Sequence, residues 1–579
     1  MSELEEKQQM YRHSMSHVLA KAIKELFGKD NVKLAIGPAI DNGFYYDFDI
    51  DKSITDDNFA SIEAKMKEII ERNEDFKRVE VSKEKALEMF KDEPYKVELI
   101  QDLPDGETIS VYYTGDDFVD LCRGPHVENS KFLRGFAYKI HRVSGAYWRG
   151  SEKNKMLQRV YVYGFLDKAD LKAYIHQMEE ALKRDHRKLG KELQLFFISD
   201  YSKGMPTYMP KGLILKNQLI KYWREIHEKA GYLEIETPMA MNRRLWEISG
   251  HWDHYKDNMY TFKCEDDTFA IKPMNCPGGM LYYMQNLHSY KEFPLRVGEL
   301  GKVHRHEASG TLSGLLRVRC FTQDDAHIFM LPTQIEDEVK NVMKLVDEVY
   351  STFGLTYTVE LSTMPENHIG ELSEWELAET ALANALKHMN LEYKINAGDG
   401  AFYGPKIDIH VKDCIGREWQ CGTIQLDMQL PKRFNLTYID EHGEEKEPIM
   451  IHRVIYGSIE RMMSILIENF AGAFPTWLAP VQVKILNIAD AHLDYAKSVK
   501  DKLSSYGIRC ELDDRNEKIG KKIREAQLEK VPYSLIVGEN EMKDGTVSVR
   551  KRSVGDQGAI ALDKFIENIL VEINTKALN

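Results

Sequence analysis

The chain is 579 residues long, 43% hydrophobic and 29% charged, a composition that excludes a disordered chain, a collagen-like repeat or a coiled-coil rod and, at ~150 residues per domain, calls for three or four folded units. Its 78 basic and 92 acidic side chains leave a net charge of −14, which argues against nonspecific DNA binding and leaves any contact with a tRNA to local basic patches. Seven cysteines at irregular spacings do not make a disulfide framework, MSELEEKQQM is not a signal peptide, and no eighteen apolar residues run together, so a cytoplasmic setting without a membrane span is expected.

Within residues 11–26, Met15, Val18, Leu19, Ala22, Ile23 and Leu26 recur at helical spacing and predict a helix ending before Gly28. The aromatic stretch 37–48 and a strand over 160–164 follow, so residues 1–166 read as one α+β domain. Residues 168–189 are charged and helix-forming without Gly or Pro, predicting a single helical linker (167–190) that stops at Gly190. Residues 191–480 mix helices with apolar strands, among them 317–330 and 406–411, and read as a large α+β domain on an antiparallel sheet. From 481 to 579 the pattern becomes strand (482–486), helix (494–506), strand, helix (519–530), strand (533–538), a parallel βαβ alternation in a small α/β domain.

In the first domain His13 and His17 stand four apart on one predicted helix face, and Cys122 and His126 repeat the spacing downstream. Two such pairs could close a tetrahedral metal site, because imidazole and thiolate both suit zinc, or a hydrolytic site in which histidines orient water beside a thiol. Solvated helix histidines with an unrelated cysteine are the plain alternative. Lys96, Asp120 and Arg123 are candidates for holding a polyanion, or surface charges. In the central domain Arg305 and Glu307 close one strand-like run and Arg317 opens the next, a hairpin whose arginines could grip a phosphate or pair with Glu307 across strands. The run GSIER sets Arg461 at a helix start, where dipole and side chain both favour phosphate. Cys276, His327 and His452 are scattered, and spacing does not group them. Lys518, Lys521, Lys522, Arg524, Arg550, Lys551 and Arg552 offer a basic face to a nucleic acid or to solvent.

Read in order from Tyr11 to the C-terminus, these strings resemble the threonyl-tRNA synthetases, a family of class II aminoacyl-tRNA synthetases. HSMSH and DLCRGPH look like the family's editing site; YLEIETP with Pro238 is similar to class II motif 1, VHRHE through RVRCFTQDDAHIF to motif 2 and GSIERM to motif 3. KPMNCPG, GAFYGPKIDI, WQCGTIQLD and RNEKIGKKIRE are similar to segments that separate this family from other class II enzymes. The resemblance implies an α+β editing domain, a class II catalytic domain on an antiparallel sheet, a C-terminal α/β anticodon-binding domain, and a homodimer formed partly through motif 1. It implies one catalytic zinc per subunit on Cys276, His327 and His452, with an open position for the amino and hydroxyl groups of L-threonine, and Asp325 accepting from that hydroxyl. Arg305 and Arg461 would take the α- and γ-phosphates of ATP with Mg2+, and Glu307, Arg317, Gln323, Tyr403, Lys406, Gln425 and Ser458 would line the same pocket.

Valine lacks the hydroxyl such a site requires, whereas serine lacks only a methyl, a difference of ~1–3 kcal/mol. Serine is therefore mischarged, and the resemblance assigns hydrolysis of seryl-tRNA(Thr) to His13, His17, Cys122 and His126 with Lys96 and Asp120, acting with side chains alone or, as in some related editing domains, with zinc. Asn516, Glu541 and Arg550 match positions that read the anticodon of tRNA(Thr). Many members begin with a small ubiquitin-like domain that is expected to be missing here. Gly279 and Ser313 stand where histidine is expected in bacterial members, which bears on substrate affinity or transfer rate. The rival readings are an RNA-binding regulator without catalysis, disfavoured by the complete phosphate and zinc sets, and a class II enzyme for another amino acid, disfavoured by Asp325 with Cys276.

Overall fold

The structure, a computed structural model, describes residues 3–104, 106–413 and 415–578; Met1 and Ser2 of the N-terminal run, Asp105, Cys414 and Asn579 lie outside the described residues. The chain divides into two units, Met1–Glu179 and Glu180–Asn579. In the first, the apolar stripe forms α1 (Glu3–Phe27), which starts earlier than the stripe because Glu3, Glu5 and Glu6 complement its N-terminal dipole. Gly28, at φ +95°, ends it. Behind it come β1 (Val32–Leu34), β2 (Ala39–Ile40), β3 (Gly43–Ile50), α2 (Asp56–Glu71), β4 (Phe76–Val81), α3 (Pro94–Gln101), β5 (Ile109–Thr114), β6 (Phe118–Leu121), β7 (Ala137–Tyr147) and β8 (Met156–Phe165). One antiparallel sheet runs β1-β3-β8-β7 with β2 on β3, and a second runs β4-β5-β6. Val18, Leu19 and Ile23 of α1 are buried in one core with Phe44, Phe48, Val160 and Val162 of the first sheet, so the helix carrying His13 and His17 is held rigidly.

The expected linker helix is broken. It forms α4 (Lys168–Arg184) and α5 (His186–Glu192), because Asp185 leaves helical geometry (φ −49°, ψ 119°) and caps α5, its side chain accepting from the Arg187 N–H. Aspartate is a better N-cap than helix-interior residue, so the acid divides the run. Gly190 lies inside α5, where a Cβ would meet the Phe196 ring at 2.4 Å.

The second unit continues with α6 (Pro210–Lys229), β9 (Leu233–Glu234), α7 (Cys276–Tyr283), β10 (Leu295–His304), β11 (Cys320–Met330), α8 (Ile335–Thr352), β12 (Thr356–Ser362), β13 (Tyr393–Asn396), β14 (Lys406–Lys412), β15 (Glu418–Asp427), β16 (Ile449–Val454) and α9 (Ile459–Asn469). Eight strands form one sheet in the order β9-β10-β11-β16-β15-β14-β12-β13, antiparallel except at its two edge pairs. Side chains alternate across it. Ile328, Ile451, Ile424 and Ile407 join the core made with α6, α8 and α9, leaving His327, His452, Gln425 and Lys406 on the opposite face. The strand expected over 317–330 begins only at Cys320, because residues 313–317 close a turn in which the Ser313 N–H bonds to the Arg317 carbonyl at 3.1 Å.

The C-terminal segment builds β17 (Val483–Asn487), α10 (Leu493–Ser505), β18 (Cys510–Asp513), α11 (Ile519–Leu528), β19 (Tyr533–Val537), β20 (Thr546–Lys551), β21 (Gly555–Ala561) and α12 (Leu562–Asn574). Its sheet runs β18-β17-β19-β20-β21; the first three strands are parallel, as the alternation predicts, and an antiparallel hairpin extends them. Three of the basic residues of this segment are used inside the fold. The buried Lys522 gives its ammonium to the Asn487 and Asp513 carbonyls and to Asn487 Oδ1 at 2.9–3.1 Å. Arg552 bonds to the Ala473 and Phe474 carbonyls, and Lys551 pairs with Glu572. Lys522→Ala is therefore expected to cost about 2 kcal/mol, measured by urea unfolding.

Candidate functional site

Register decides which side chains meet. In the central sheet His327 of β11 is directly opposite His452 of β16, which is opposite Gln425 of β15, which is opposite Lys406 of β14. Directly paired residues of antiparallel strands share a face, so these four form one row. Asp325 and Gln323 follow His327 at the period of two. Cys276, the first residue of α7, comes down on this row: its sulfur and the two imidazoles are buried, with one ligand atom from each within 4.8 Å of the others. The structure thus groups three residues that spacing left apart.

This trio fits a zinc ion. His327 Nε2 is buried without a hydrogen-bond partner, whereas His452 Nε2 is held by Asp427 at 2.8 Å, leaving its other nitrogen for a ligand. Burial, then Asp325 and Asp427, pushes the Cys276 thiol well up, and burial drives His327 down to about 3. A divalent cation would reverse the thiol's preference and take up the unpaired nitrogen. Asp325, its carboxyl raised by burial, accepts from Asn275 at 3.3 Å and lies 3.8 Å from His327 Nε2. A Cβ on Gly279, one turn after Cys276, would touch His327 Nδ1 at 3.1 Å, so the imidazole rests directly on the helix backbone.

Beside the trio, Arg305, Glu307, Arg317, Gln323, Ser458 and Arg461 line one cavity of about 380 Å³. Three guanidiniums face it against one carboxylate, Glu307, which pairs with Arg317 at 2.8 Å. Such an excess of fixed positive charge suits a polyphosphate. The arginines are aimed by backbone: Arg305 donates to the Pro273 carbonyl, and Arg461 to those of Leu316 and Gln420. Ser458 caps α9 by accepting from the Arg461 N–H at 3.0 Å. Tyr403 lies on the side of the Cys276, His327 and His452 trio, donating to Gln425 at 2.9 Å, and Lys406 is held by Asp408 and Asp399.

The first unit gathers the other set. His13 and His17 lie on α1; Cys122 and His126 lie in the loop after β6. Cys122 Sγ is 3.2 Å from His13 Nε2 and 3.1 Å from His126 Nε2. Ser14 gives its hydroxyl proton to the Met10 carbonyl, so it accepts from His126 Nδ1, and His13 donates to the Pro125 carbonyl. Both rings therefore turn a lone pair toward the thiol. Burial lowers all three histidines and pushes the thiol up to about 12, so the cluster is neutral. Beneath it the buried Asp120 takes the Lys96 ammonium at 2.5 Å and the Tyr46 hydroxyl at 2.5 Å, and lies 3.7 Å from His17. The four ligand atoms lie within 4.8 Å of one another, and His17 Nδ1 has no partner, so the set could also hold a zinc ion. Arg123 is outside it, exposed and paired with Glu107.

Asn516 is exposed in the turn before α11, Glu541 caps the helix Glu539–Asp544, and Arg550 is on β20 with its Nε buried and unpaired. Sequence reasoning missed several neighbours. His251 is buried, 3.8 Å from Cys276 Sγ and 2.8 Å from Ser249 Oγ. Gln420 and Thr423 line the arginine cavity and bond to Asp408. Asp427 and Asn275, which orient His452 and Asp325, stand inside WQCGTIQLD and KPMNCPG and were legible there; His251 carried no such signal.

Three family descriptions match: "tRNA synthetase class II core domain (G, H, P, S and T)" over 260–470, "Anticodon binding domain" over 481–572, and "Threonyl and Alanyl tRNA synthetase second additional domain" over 109–161. The threonine–tRNA ligases of Clostridioides difficile and Clostridium tetani are 59% and 58% identical to 99% of this chain, which spans 89% of each. Among solved structures, the RNA binding domain of threonyl-tRNA synthetase from Cryptosporidium parvum is similar over 67% of this chain and 98% of its own, at 42% identity and TM-score 0.66. A putative threonyl-tRNA synthetase from Aeropyrum pernix is similar over 68% of this chain and 97% of its own, at 30% identity and TM-score 0.60.

The raised thiol gives a direct check. With iodoacetamide at pH 8, peptide mass spectrometry is expected to find the exposed Cys264 alkylated first and Cys122 at least tenfold slower, because only the thiolate reacts.

Proposed function

The chain belongs to the threonyl-tRNA synthetase family of class II aminoacyl-tRNA synthetases, and from that premise we propose how its residues divide the work of a threonine–tRNA ligase. The enzyme activates threonine with ATP to threonyl-adenylate, transfers it to tRNA(Thr), and hydrolyses mischarged seryl-tRNA(Thr). The observation that carries the residue roles is the row His327, His452, Gln425, Lys406 beside the arginine cavity. Cys276, His327 and His452 would hold one zinc ion, which would supply a Lewis-acid position for the amino and hydroxyl groups of threonine. Asp325 accepts from that hydroxyl, so valine is refused. Arg305 takes the α-phosphate and Arg461 the γ-phosphate of ATP, with Glu307, Arg317, Gln323, Tyr403, Lys406, Gln425 and Ser458 completing the pocket. As the threonine carboxylate attacks the α-phosphorus and pyrophosphate leaves, the fixed guanidiniums meet the charge that develops, and Mg2+ bound with ATP would add to that neutralisation.

Seryl-tRNA is hydrolysed in the first unit. The rings of His13, His17 and His126 orient a water, Cys122 shapes the pocket, and the Lys96–Asp120 pair holds its floor. The convergent donors favour a zinc-loaded version as the second reading. Asn516, Glu541 and Arg550 contact the anticodon. The apolar cleft of Ile235, Pro238, Met241, Leu245, Ile248 and Leu281, which lies open around motif 1, supports a homodimer. Among the described residues no helix is long and apolar enough to cross a membrane, and a cytoplasmic setting follows from the role in translation.

Pyrophosphate exchange is expected to be strong with threonine, weaker with serine and absent with valine, and to be lost on zinc chelation or in Cys276→Ala. Metal analysis should find one zinc per chain, lost with Cys276 and kept in Cys122→Ser; two per chain would put a metal in the editing site. The double variant His13→Ala, Cys122→Ala should threonylate normally and accumulate seryl-tRNA(Thr). Clearance of that product at the normal rate would remove the hydrolytic role from these residues.

A further inference from the structure

At the break between α4 and α5 lies a buried pair that neither site uses. His186, the first residue of α5, gives its Nδ1 proton to Glu468 at the end of α9 over 2.7 Å, and its own backbone N–H reaches the same oxygen at 3.2 Å. The carboxylate thereby fixes the tautomer, and Nε2 is left to accept from the Leu315 N–H at 3.0 Å. The ring approaches so closely that a Cβ on Gly314 would lie 2.0 Å from Nε2. Asp185, His186 and Glu468 stand near enough together to suggest a metal site, but both ring nitrogens are occupied, Asp185 caps α5, and Glu468 also pairs with Arg417.

What His186 holds is the turn that presents the phosphate arginines. Leu315 lies inside the 313–317 turn, whose last residue is Arg317, and the next carbonyl, that of Leu316, accepts from Arg461 Nε at 3.3 Å. Glu468 is near the end of α9, whose first turn carries Arg461. Glu468 is braced from behind by Arg417, which also grips Asp413 at 2.7 Å. We propose that His186, oriented by Glu468, is a positioning residue for ATP: it pins the 313–317 turn and so sets Arg317 and Arg461 at the spacing a triphosphate needs. This rests on the reading of the arginine cavity as the ATP site. A merely space-filling residue would need the ring's volume but neither of its hydrogen bonds, and the two roles separate on that point.

His186→Phe keeps the ring and removes both bonds; His186→Gln keeps one donor and one acceptor. In pyrophosphate exchange the Phe variant is expected to raise the KM for ATP about tenfold and leave that for threonine within twofold. Hydrogen exchange should show lost protection in the peptide carrying Leu315. The Gln variant should recover most of the ATP affinity, and if the Phe variant does not fold, the test rests on Gln and wild type, with a two- to threefold rise in the KM for ATP alone expected. An unchanged KM for ATP with the Leu315 peptide still protected overturns the proposal. So does a parallel rise in both KM values, the mark of general loosening. No exchange in wild type would instead defeat the reading of the cavity.

Discussion

The catalytic half of this protein depends on the register of one antiparallel sheet. Direct pairing across β11, β16, β15 and β14 puts His327, His452, Gln425 and Lys406 in one row, and a slip of one residue on any of these strands would exchange a polar group for a core isoleucine. The core side enforces the choice. Ile328, Ile451, Ile424 and Ile407 are wholly buried against α6, α8 and α9, so moving them to the polar face would forfeit roughly 1.5–3 kcal/mol each. Packing on one face of the sheet therefore positions chemistry on the other.

The two sites built by this chain use opposite electrostatics. Around the arginine cavity, fixed charges are held by backbone carbonyls, ready for a polyanion. In the first unit, burial strips His13, His17, His126 and Cys122 of charge while their polar atoms point inward. A neutral pocket of that kind can orient water without presenting a strong nucleophile of its own, since a thiol at about 12 remains protonated at physiological pH. The buried charge pair beneath the cluster, Lys96 with Asp120, is compensated within itself and by Tyr46.

Local signals carried much of this into the sequence. The stripe of α1, the helix start at GSIER and the βαβ alternation after Pro480 depend on neighbours a few residues apart, and they read correctly. Cys276, His327 and His452 did not, because register and not spacing brings them together; only resemblance to a family grouped them. The helical run 168–189 misled for the opposite reason: its composition favours helix throughout, and only the tertiary use of Asp185 as a cap and His186 as a buried hydrogen-bonding group makes the break worthwhile. Lys522 misled because a lysine's burial is set by the carbonyls that surround it, which no charge run announces.

The arrangement also explains why one protein carries both sites. On the proposed reading, a pocket that would recognise a hydroxyl by metal coordination and by Asp325 would gain large discrimination against valine, since an unmet Asp325 is costly to leave unpaired. Against serine the same pocket has only the space of one methyl, worth ~1–3 kcal/mol, or roughly 10- to 200-fold. Tightening the row would not help, because serine makes every polar contact that threonine makes. The missing discrimination has to come from a second encounter, at a site where the extra methyl obstructs instead of stabilising. The neutral, crowded histidine cluster on α1, backed by Phe76, Tyr112 and Phe118, has the steric character such a sieve requires.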